Sequence, residues 1–282
     1  MKDFIQYSDL TYEDKKAIRN EYYRKPYLSF KSLATKFNIS KYTLRKILNV
    51  DFMINTNLKN RYSLNSNYFD DIDSESKAYL LGLLTADGYV GTEKFNNIVF
   101  ESRDIELVEY LKKEISYTGE IKITNPGGYK NSTSGYKISF SDKNMANKLR
   151  NYGIVPFRKQ DLLTMPIISD ALIRHYIRGY IDGDGTISKS VSHSVYHGKE
   201  YFYDQLNLSI IGPMGFLNSI IRTVNIEKYS FQKSKTEYLF YLRIHSKAEI
   251  NKLYKYLYDN ITICLNRKRQ IWDDYLGANS QK

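Results

Sequence analysis

The chain has 282 residues and a formal net charge of +11, because 42 Lys and Arg side chains outnumber 31 Asp and Glu side chains. Its single Cys excludes a disulfide framework and a Cys-based zinc site, and its apolar runs are too short to cross a bilayer. The apolar fraction of 42% is enough for a packed core, and the excess positive charge favours a polyanionic partner, most simply nucleic acid.

The first 55 residues predict a small all-α domain of the helix-turn-helix type. Ser29 caps a helix over 30–37, and after a short turn Ser40 caps a second helix over 41–48. Residues 1–60 carry twelve basic and six acidic side chains, a net charge of +6. Pattern and charge together favour DNA binding over a plain helical bundle with a solvated basic face. The predicted DNA contacts on the second helix are Lys41, Tyr42, Thr43, Arg45 and Lys46.

The rest of the chain divides into a linker and two copies of one pattern. Residues 56–74 are polar and lack apolar periodicity, which predicts a linker, and Ser74 begins the next helix. Beyond it we predict two repeats, over residues 75–170 and 171–282.

The repeat is marked by two nine-residue motifs. Residues 80–88 read LLGLLTADG and residues 177–185 read IRGYIDGDG, which places Asp87 and Asp184 97 positions apart. Each motif helix is followed by two strands, a helix, two strands and a helix, and the second copy has the longer first hairpin. The sequence therefore predicts an α+β fold with a duplicated αββαββα order.

These motifs, their separation and this order of elements resemble the LAGLIDADG homing endonucleases, in the form that carries both motifs in one chain. The resemblance covers roughly residues 75–276, and the helix-turn-helix lies outside it. It implies a monomeric, site-specific endonuclease that cuts both strands of DNA, in the setting of intron or free-standing gene homing. Two antiparallel sheets are then expected to lie like a saddle along the major groove of a long, weakly palindromic target.

Small residues stand four positions apart in both motif helices: Gly82 and Ala86 in the first, Gly179 and Gly183 in the second. Such a stripe lets two helix backbones approach closely. We therefore predict that the motif helices pack against each other and define a pseudo-twofold axis.

This packing brings Asp87 and Asp184 together at two helix C-termini. A carboxylate there is unfavourable without a cation, and a pair of them forms a hard-oxygen site suited to Mg²⁺, with Mn²⁺ as a substitute. The sequence therefore predicts metal-assisted phosphodiester hydrolysis. The resemblance implies that the backbone carbonyls of Ala86 and Gly183 are further metal ligands.

The resemblance also implies that Lys159 and Lys268 lie near the scissile phosphates, where they order water and offset developing charge. The alternative is that they are surface lysines in basic segments. Thr85 departs from the usual acid at motif position six, where the second copy has Asp182. This difference puts the symmetry of the two halves in doubt without excluding cleavage.

The DNA-facing side of each sheet is predicted from the period-two alternation of strands. The candidates are Arg103, Lys122, Lys137, Lys189, Lys233, Lys235 and Arg243. A shift of one residue would move any of them to the opposite face. His193 and His197 fall in a long polar hairpin over 190–203, where a DNA-contacting or exposed loop is favoured over a metal pair.

Double-stranded DNA is thus the predicted partner, with no membrane. The alternative function is a non-cleaving member of the same fold, either an RNA-splicing maturase or a DNA-binding regulator; a structural helix-turn-helix adaptor would leave the paired acids unexplained. Two intact motif acids favour the nuclease, because binding alone does not need them. No signal peptide is evident, so we expect the cytoplasm of a bacterial or phage-infected cell, or an organelle.

Overall fold

The computed structural model describes residues 4–24, 29–54, 62–125, 133–154 and 162–280. The chain divides into two compact units: Met1–Asn65 with Ile115–Lys122, and Ser66–Glu114 with Ile123–Lys282. No helix in these described ranges is long and apolar enough to cross a membrane.

The first unit contains the predicted helix-turn-helix. Its helices are α1 (Tyr12–Arg24), α2 (Phe30–Lys36) and α3 (Lys41–Lys46), and a π-helical turn over Ile47–Asp51 follows α3. Both predicted caps are confirmed: the Ser29 hydroxyl accepts from the Ser32 backbone N–H, and the Ser40 hydroxyl accepts from that of Thr43. Ile18, Leu33, Ala34, Leu44 and Ile47 form the centre of its core.

The predicted linker is shorter than the sequence suggested. Residues 56–61 lie outside the described residues, but Tyr68, Phe69 and Ile72 are buried, and Phe69 is fully so. The apolar side chains are too widely spaced to show a helix or strand period, yet they anchor an irregular segment to a core. Residues 66–74 are therefore part of the second unit.

The second unit contains the predicted duplication, and its αββαββα order is confirmed in both copies. The first copy consists of α4 (Glu75–Asp87), β1 (Gly88–Val90), β2 (Asn97–Ser102), α5 (Ile105–Glu114), β3 (Lys122–Thr124), β4 (Gly135–Ser141) and α6 (Lys143–Asn151). The second consists of α7 (Asp170–Asp184), β5 (Gly185–Tyr196), β6 (Lys199–Pro213), α8 (Met214–Val224), β7 (Ser230–Lys233), β8 (Leu239–Ile244) and α9 (Lys247–Tyr258). Helix α10 (Asn266–Ser280) follows.

The two sheets share one topology. Their strand orders are β1-β2-β4-β3 and β5-β6-β8-β7. Strand β2 pairs antiparallel with β1 and β4, and the three pairings of the second sheet are antiparallel as well. One face of each sheet is buried, with Ile98 and Phe100 in the first and Leu208 and Ile210 in the second. Successive side chains in a strand point to opposite sides, so the residues between these belong to the other face, which is more exposed. We call it the open face.

The motif helices α4 and α7 cross at glycines. A Cβ atom at Gly82 would lie 2.1 Å from the backbone oxygen of Tyr176, and one at Gly179 would lie 2.0 Å from that of Tyr79. A Cβ at Gly183 would lie 2.4 Å from the Cβ of Ala86. The structure thus places all four small residues of the motif stripe between the two helices.

We expect Gly179→Ala to destabilise the second unit by about 3 kcal/mol or more, because its methyl group would overlap backbone that cannot move independently. Urea denaturation followed by circular dichroism measures this loss. Gly215→Ala in α8 is the matched control, since nothing lies within 4 Å of its Cβ position. The control should change stability by less than about 1 kcal/mol. Equal losses in the two variants would contradict the close crossing of α4 and α7.

Candidate active site

The two motif acids are the last residues of α4 and α7, and each chain passes directly into a strand at the following glycine. The Asp87 carboxylate lies beside α7, since its Oδ2 would be 3.1 Å from a Cβ placed on Gly183. Desolvation raises the pKa of Asp87 to about 6, and the charge of Asp104 adds to the rise. Desolvation and then the charge of Asp87 raise the pKa of Asp184 to about 7.

This pair of carboxylates fits a hard divalent cation. Two desolvated acids that repel each other gain most from a small cation with oxygen ligands. Among the described residues, no group of three or more His, Cys, Asp or Glu side chains could hold a metal. Asp87 and Asp184 would therefore need oxygens from the backbone, the substrate or water to complete a coordination shell.

The side chain of Lys268, from the first turn of α10, lies against the C-terminal end of α7. This side chain is almost completely buried, and its ammonium group donates to the backbone oxygens of Ile181 at 2.8 Å, Asp182 at 2.7 Å and Gly185 at 2.6 Å. The Gly183 oxygen lies 3.2 Å from the same nitrogen. Desolvation lowers the pKa of Lys268 to about 8, although the charge of Asp182 opposes the fall. The Ile181 oxygen also accepts from the backbone N–H of Gly185, and the later carbonyls lie where α7 passes directly into β5.

The predicted role of Lys268 at a scissile phosphate stays a prediction, and the charge of Lys268 acts on both motif acids. Its N–H groups are directed at the helix end, and the contact with Gly183 also engages a carbonyl that we predicted as a metal ligand. Lys159, its counterpart in the first copy, lies outside the described residues.

Motif position six also distinguishes the two helices. In α7, Asp182 accepts hydrogen bonds from the Tyr79 hydroxyl at 2.8 Å and from the Leu265 backbone N–H at 2.7 Å. In α4, Thr85 donates to the backbone oxygen of Leu81 at 2.8 Å. The acid thus attaches the segment before α10 to α7, whereas the threonine hydroxyl donates to a carbonyl of its own helix.

A second buried network was not predicted from the sequence. Arg178, in the middle of α7, is fully buried and donates to Glu75 Oε1 at 2.6 Å and to the backbone oxygens of Leu257 at 2.8 Å and Ile263 at 2.9 Å. It joins α7 to α4, to the last turn of α9 and to the segment that follows α9. The signal was present in the sequence, as an arginine inside an otherwise apolar helix face.

A cleft of about 410 Å³ opens beside Asp87. Its lining includes Gly183, Arg103, Asp104 and Arg267. Arg267 donates two hydrogen bonds to the Asp104 carboxylate, at 2.7 and 2.8 Å, which links α10 to the first copy. This bidentate pair lies next to the motif acids and was also not predicted from the sequence.

The open faces of the sheets carry only part of the predicted basic set. Arg243 pairs with Ser209 on the open face of the second sheet, and Lys137 pairs with Glu101 on that of the first. Arg103, Lys122 and Lys235 are exposed: Arg103 after β2, Lys122 at the start of β3 and Lys235 after β7.

Two predicted DNA contacts lie on the wrong face. Lys189 lies in β5 on the same side as buried Ile187, and its ammonium is 3.5 Å from the Asp274 carboxylate of α10. Lys233 pairs with Phe240, on the side that buries Leu242. Side chains alternate between the two faces of a strand, so the register of the strand decides which face each lysine occupies. The sequence positions of the charges alone do not give that register.

One of the five predicted DNA contacts on α3 does not lie on its exposed face. Thr43 is buried, its backbone N–H and its hydroxyl both 2.9 Å from the Ser40 hydroxyl, so it belongs to the cap rather than to the exposed face. Lys41, Tyr42 and Arg45 are exposed, and Lys46 is half-buried with its ammonium 4.0 Å from the centre of the Tyr7 ring.

The long hairpin is an ordered two-stranded ribbon rather than a loop. Strands β5 and β6 pair continuously to Tyr196 and Lys199, and His197 and Gly198 form the turn with positive φ angles. His193 stacks on Phe202 with 4.8 Å between ring centres. His193 thus pairs with an aromatic ring within the ribbon, and His197 sits in its turn.

Part of the sequence matches the model of a known protein family. Residues 169–266 match the family model of the PI-PfuI endonuclease subdomain. This match confirms the resemblance to an endonuclease of this type for the second copy. Among curated proteins no sequence match is found.

Solved structures of homing endonucleases are similar at low identity. I-LtrWI bound to target DNA is 14% identical with a TM-score of 0.49, covering 77% of this chain and 92% of that one. I-AabMI bound to uncleaved DNA is 12% identical with a TM-score of 0.48, covering 72% and 90%. I-SmaMI bound to uncleaveable DNA is 13% identical with a TM-score of 0.48, covering 72% and 91%.

The raised pKa values predict a pH-dependent response to Mg²⁺. The folded protein holds protons on Asp87 and Asp184 above their ordinary pKa of 3.8, so ionising them costs stability as pH rises through about 4 to about 7. We expect Mg²⁺ to raise Tm at about pH 8 and to have little effect at about pH 5. Thermal melts with and without Mg²⁺ measure the difference, and Asp184→Asn is the control that should remove most of it. An equal Mg²⁺ effect at both pH values would contradict this assignment.

Proposed function

We propose that this protein is a site-specific endonuclease that hydrolyses both strands of double-stranded DNA with the help of a divalent metal. The observation that supports this most directly is the pairing of Asp87 and Asp184 at the ends of two crossed helices. Both carboxylates are desolvated, so their negative charge costs stability until a cation offsets it. The endonuclease-subdomain match over residues 169–266 is independent support.

The acids would hold Mg²⁺, with Mn²⁺ as a substitute, and backbone oxygens of Ala86 and Gly183 are candidate further ligands. When bound, such an ion activates water and neutralises charge on the phosphate. Hydrolysis forms a P–O bond from water and breaks the P–O3′ bond, leaving a 5′-phosphate and a 3′-hydroxyl. Lys268 keeps the end of α7 rigid, so that the Asp184 carboxylate is held in one place. Arg103, at the cleft, supplies positive charge to the phosphate.

The open sheet faces and the helix-turn-helix are the proposed DNA-binding surfaces. A two-stranded ribbon fits the major groove, and the polar side chains Ser188, Asn207, Ser209 and Arg243 lie together on the open side of the second sheet. Because both copies lie in one chain and differ in sequence, we propose a monomer on a long, weakly palindromic target. The site of action would be the cytoplasm or an organelle.

The test is cleavage of DNA from the protein's own gene neighbourhood. The substrate is a plasmid carrying the flanking sequence joined as it would be without the insertion that holds the gene, and the control plasmid retains the insertion. With Mg²⁺ we expect a cut only in the uninterrupted plasmid, and none with EDTA. Tight binding of either nucleic acid without any cut, over a range of Mg²⁺ and Mn²⁺ concentrations, would instead indicate a splicing maturase or a regulator.

Salt dependence tests the role of the helix-turn-helix. We expect Lys41→Ala with Arg45→Ala to weaken binding and to reduce the slope of log affinity against log salt by about 0.9 for each phosphate that is no longer neutralised. Fluorescence anisotropy over a salt series measures the slope. Lys31→Ala in α2 is the control, which should leave the slope unchanged. An unchanged slope in the double variant would show that α3 does not contact phosphate.

A further inference from the structure

The two copies can be aligned residue by residue through their strand registers. Gly88, which follows the first motif acid, pairs with Phe100, and Gly185, which follows the second, pairs with Ile210. The next pairing agrees, since Phe100 opposes Ile138 in β4 and Ile210 opposes Leu242 in β8. Positions that follow Phe100 in the first copy therefore correspond to positions that follow Ile210 in the second.

This alignment shows that the two copies differ in charge next to the motif acids. Arg103 corresponds to Pro213, and Asp104 corresponds to Met214. The first copy thus places two charged residues, Arg103 and Asp104, along the cleft beside Asp87. The second copy has uncharged residues at the two corresponding positions.

Only one of the cations near Asp87 is available to a substrate among the described residues. Arg267 is engaged by Asp104 through two hydrogen bonds, and Lys268 is engaged by the end of α7. Arg103 is exposed at the cleft, and no hydrogen bond or ion pair joins it to any residue that the structure describes. A guanidinium in this position can bind a phosphate through two N–H groups and stabilise the charge that develops during hydrolysis.

We propose that the two DNA strands are cut in a fixed order, the strand at Asp87 first, and that Arg103 sets this order. The inference rests on the proposed endonuclease function. The strand at Asp184 lacks the corresponding guanidinium, so its hydrolysis is slower and a nicked duplex accumulates. Arg103 would contact the phosphate of one strand only.

The experiment follows each strand of the plasmid target described above. Nicked and linear products are separated over time, and a duplex labelled differently on its two 5′ ends identifies the strand cut first. We expect the wild-type protein to accumulate one nicked species. Arg103→Met should slow the cut in that same strand by on the order of 100-fold and leave the other rate within a few-fold. Arg103→Lys should recover part of the loss, because the charge remains.

Arg243→Met is the matched control, since this exposed arginine lies on the open face of the second sheet. Weaker binding in this variant should slow both strands to the same extent, and affinity measured in EDTA separates binding from cleavage. Equal wild-type rates on both strands, or an Arg103→Met defect shared equally by them, would overturn the proposed order. Absence of any cut by the wild-type protein would instead count against the endonuclease function.

Discussion

Asp87→Asn and Asp184→Asn should each reduce DNA cleavage by a factor on the order of 1,000 or more, while affinity for the target in EDTA stays within a few-fold. The amide cannot carry the negative charge that a divalent cation requires, but it fills the same space and leaves the helix crossing intact. A loss of metal binding at the reacting phosphate removes most of the electrostatic stabilisation of the transition state. Cleavage of the labelled target under single-turnover conditions measures the rate.

Two controls sharpen this prediction. Asp274→Asn changes an acid of α10 that faces Lys189, away from the helix ends, and it should leave cleavage unchanged. Thermal melts at about pH 8 without metal should show that both motif variants are at least as stable as the wild type, because a desolvated charge has been removed. Full cleavage by either motif variant in Mg²⁺ would contradict the metal assignment.

Lys268→Met should lower the free energy of unfolding by about 3 kcal/mol, because backbone oxygens at the end of α7 would stay buried after losing the ammonium donor. For a unit of this size the corresponding fall in Tm is about 10 °C. Cleavage by the folded fraction should also fall, since the end of α7 would no longer hold Asp184 in place. Differential scanning calorimetry and single-turnover cleavage measure the two effects.

An exposed lysine is the matched control for this variant. Lys235→Met, after β7, should change Tm by less than about 2 °C, because its ammonium group is in water. A Lys268 that served only a phosphate would behave in the same way, since its removal would cost activity and no stability. Equal Tm values for the two variants would therefore restore the role that the sequence suggested.

The amino-acid sequence was sufficient to predict the fold of this protein and the location of its candidate site. Short-range patterns carry this information: Ser29 and Ser40 cap their helices by local hydrogen bonds, and the small residues of each motif mark a helix surface that must meet another backbone. Two motifs of this kind in one order of elements were enough to predict the duplication, and with it the meeting of Asp87 and Asp184.

The role of each charged side chain emerged only from the tertiary structure. Lys189 and Lys233 lie on the helix-covered face because strand register sets the direction of every side chain, and register depends on the partner strand. Lys268 is also a donor to backbone oxygens at the end of α7, a contact that the sequence did not predict. Such contacts join residues more than 80 positions apart, and no local pattern in the sequence encodes their geometry.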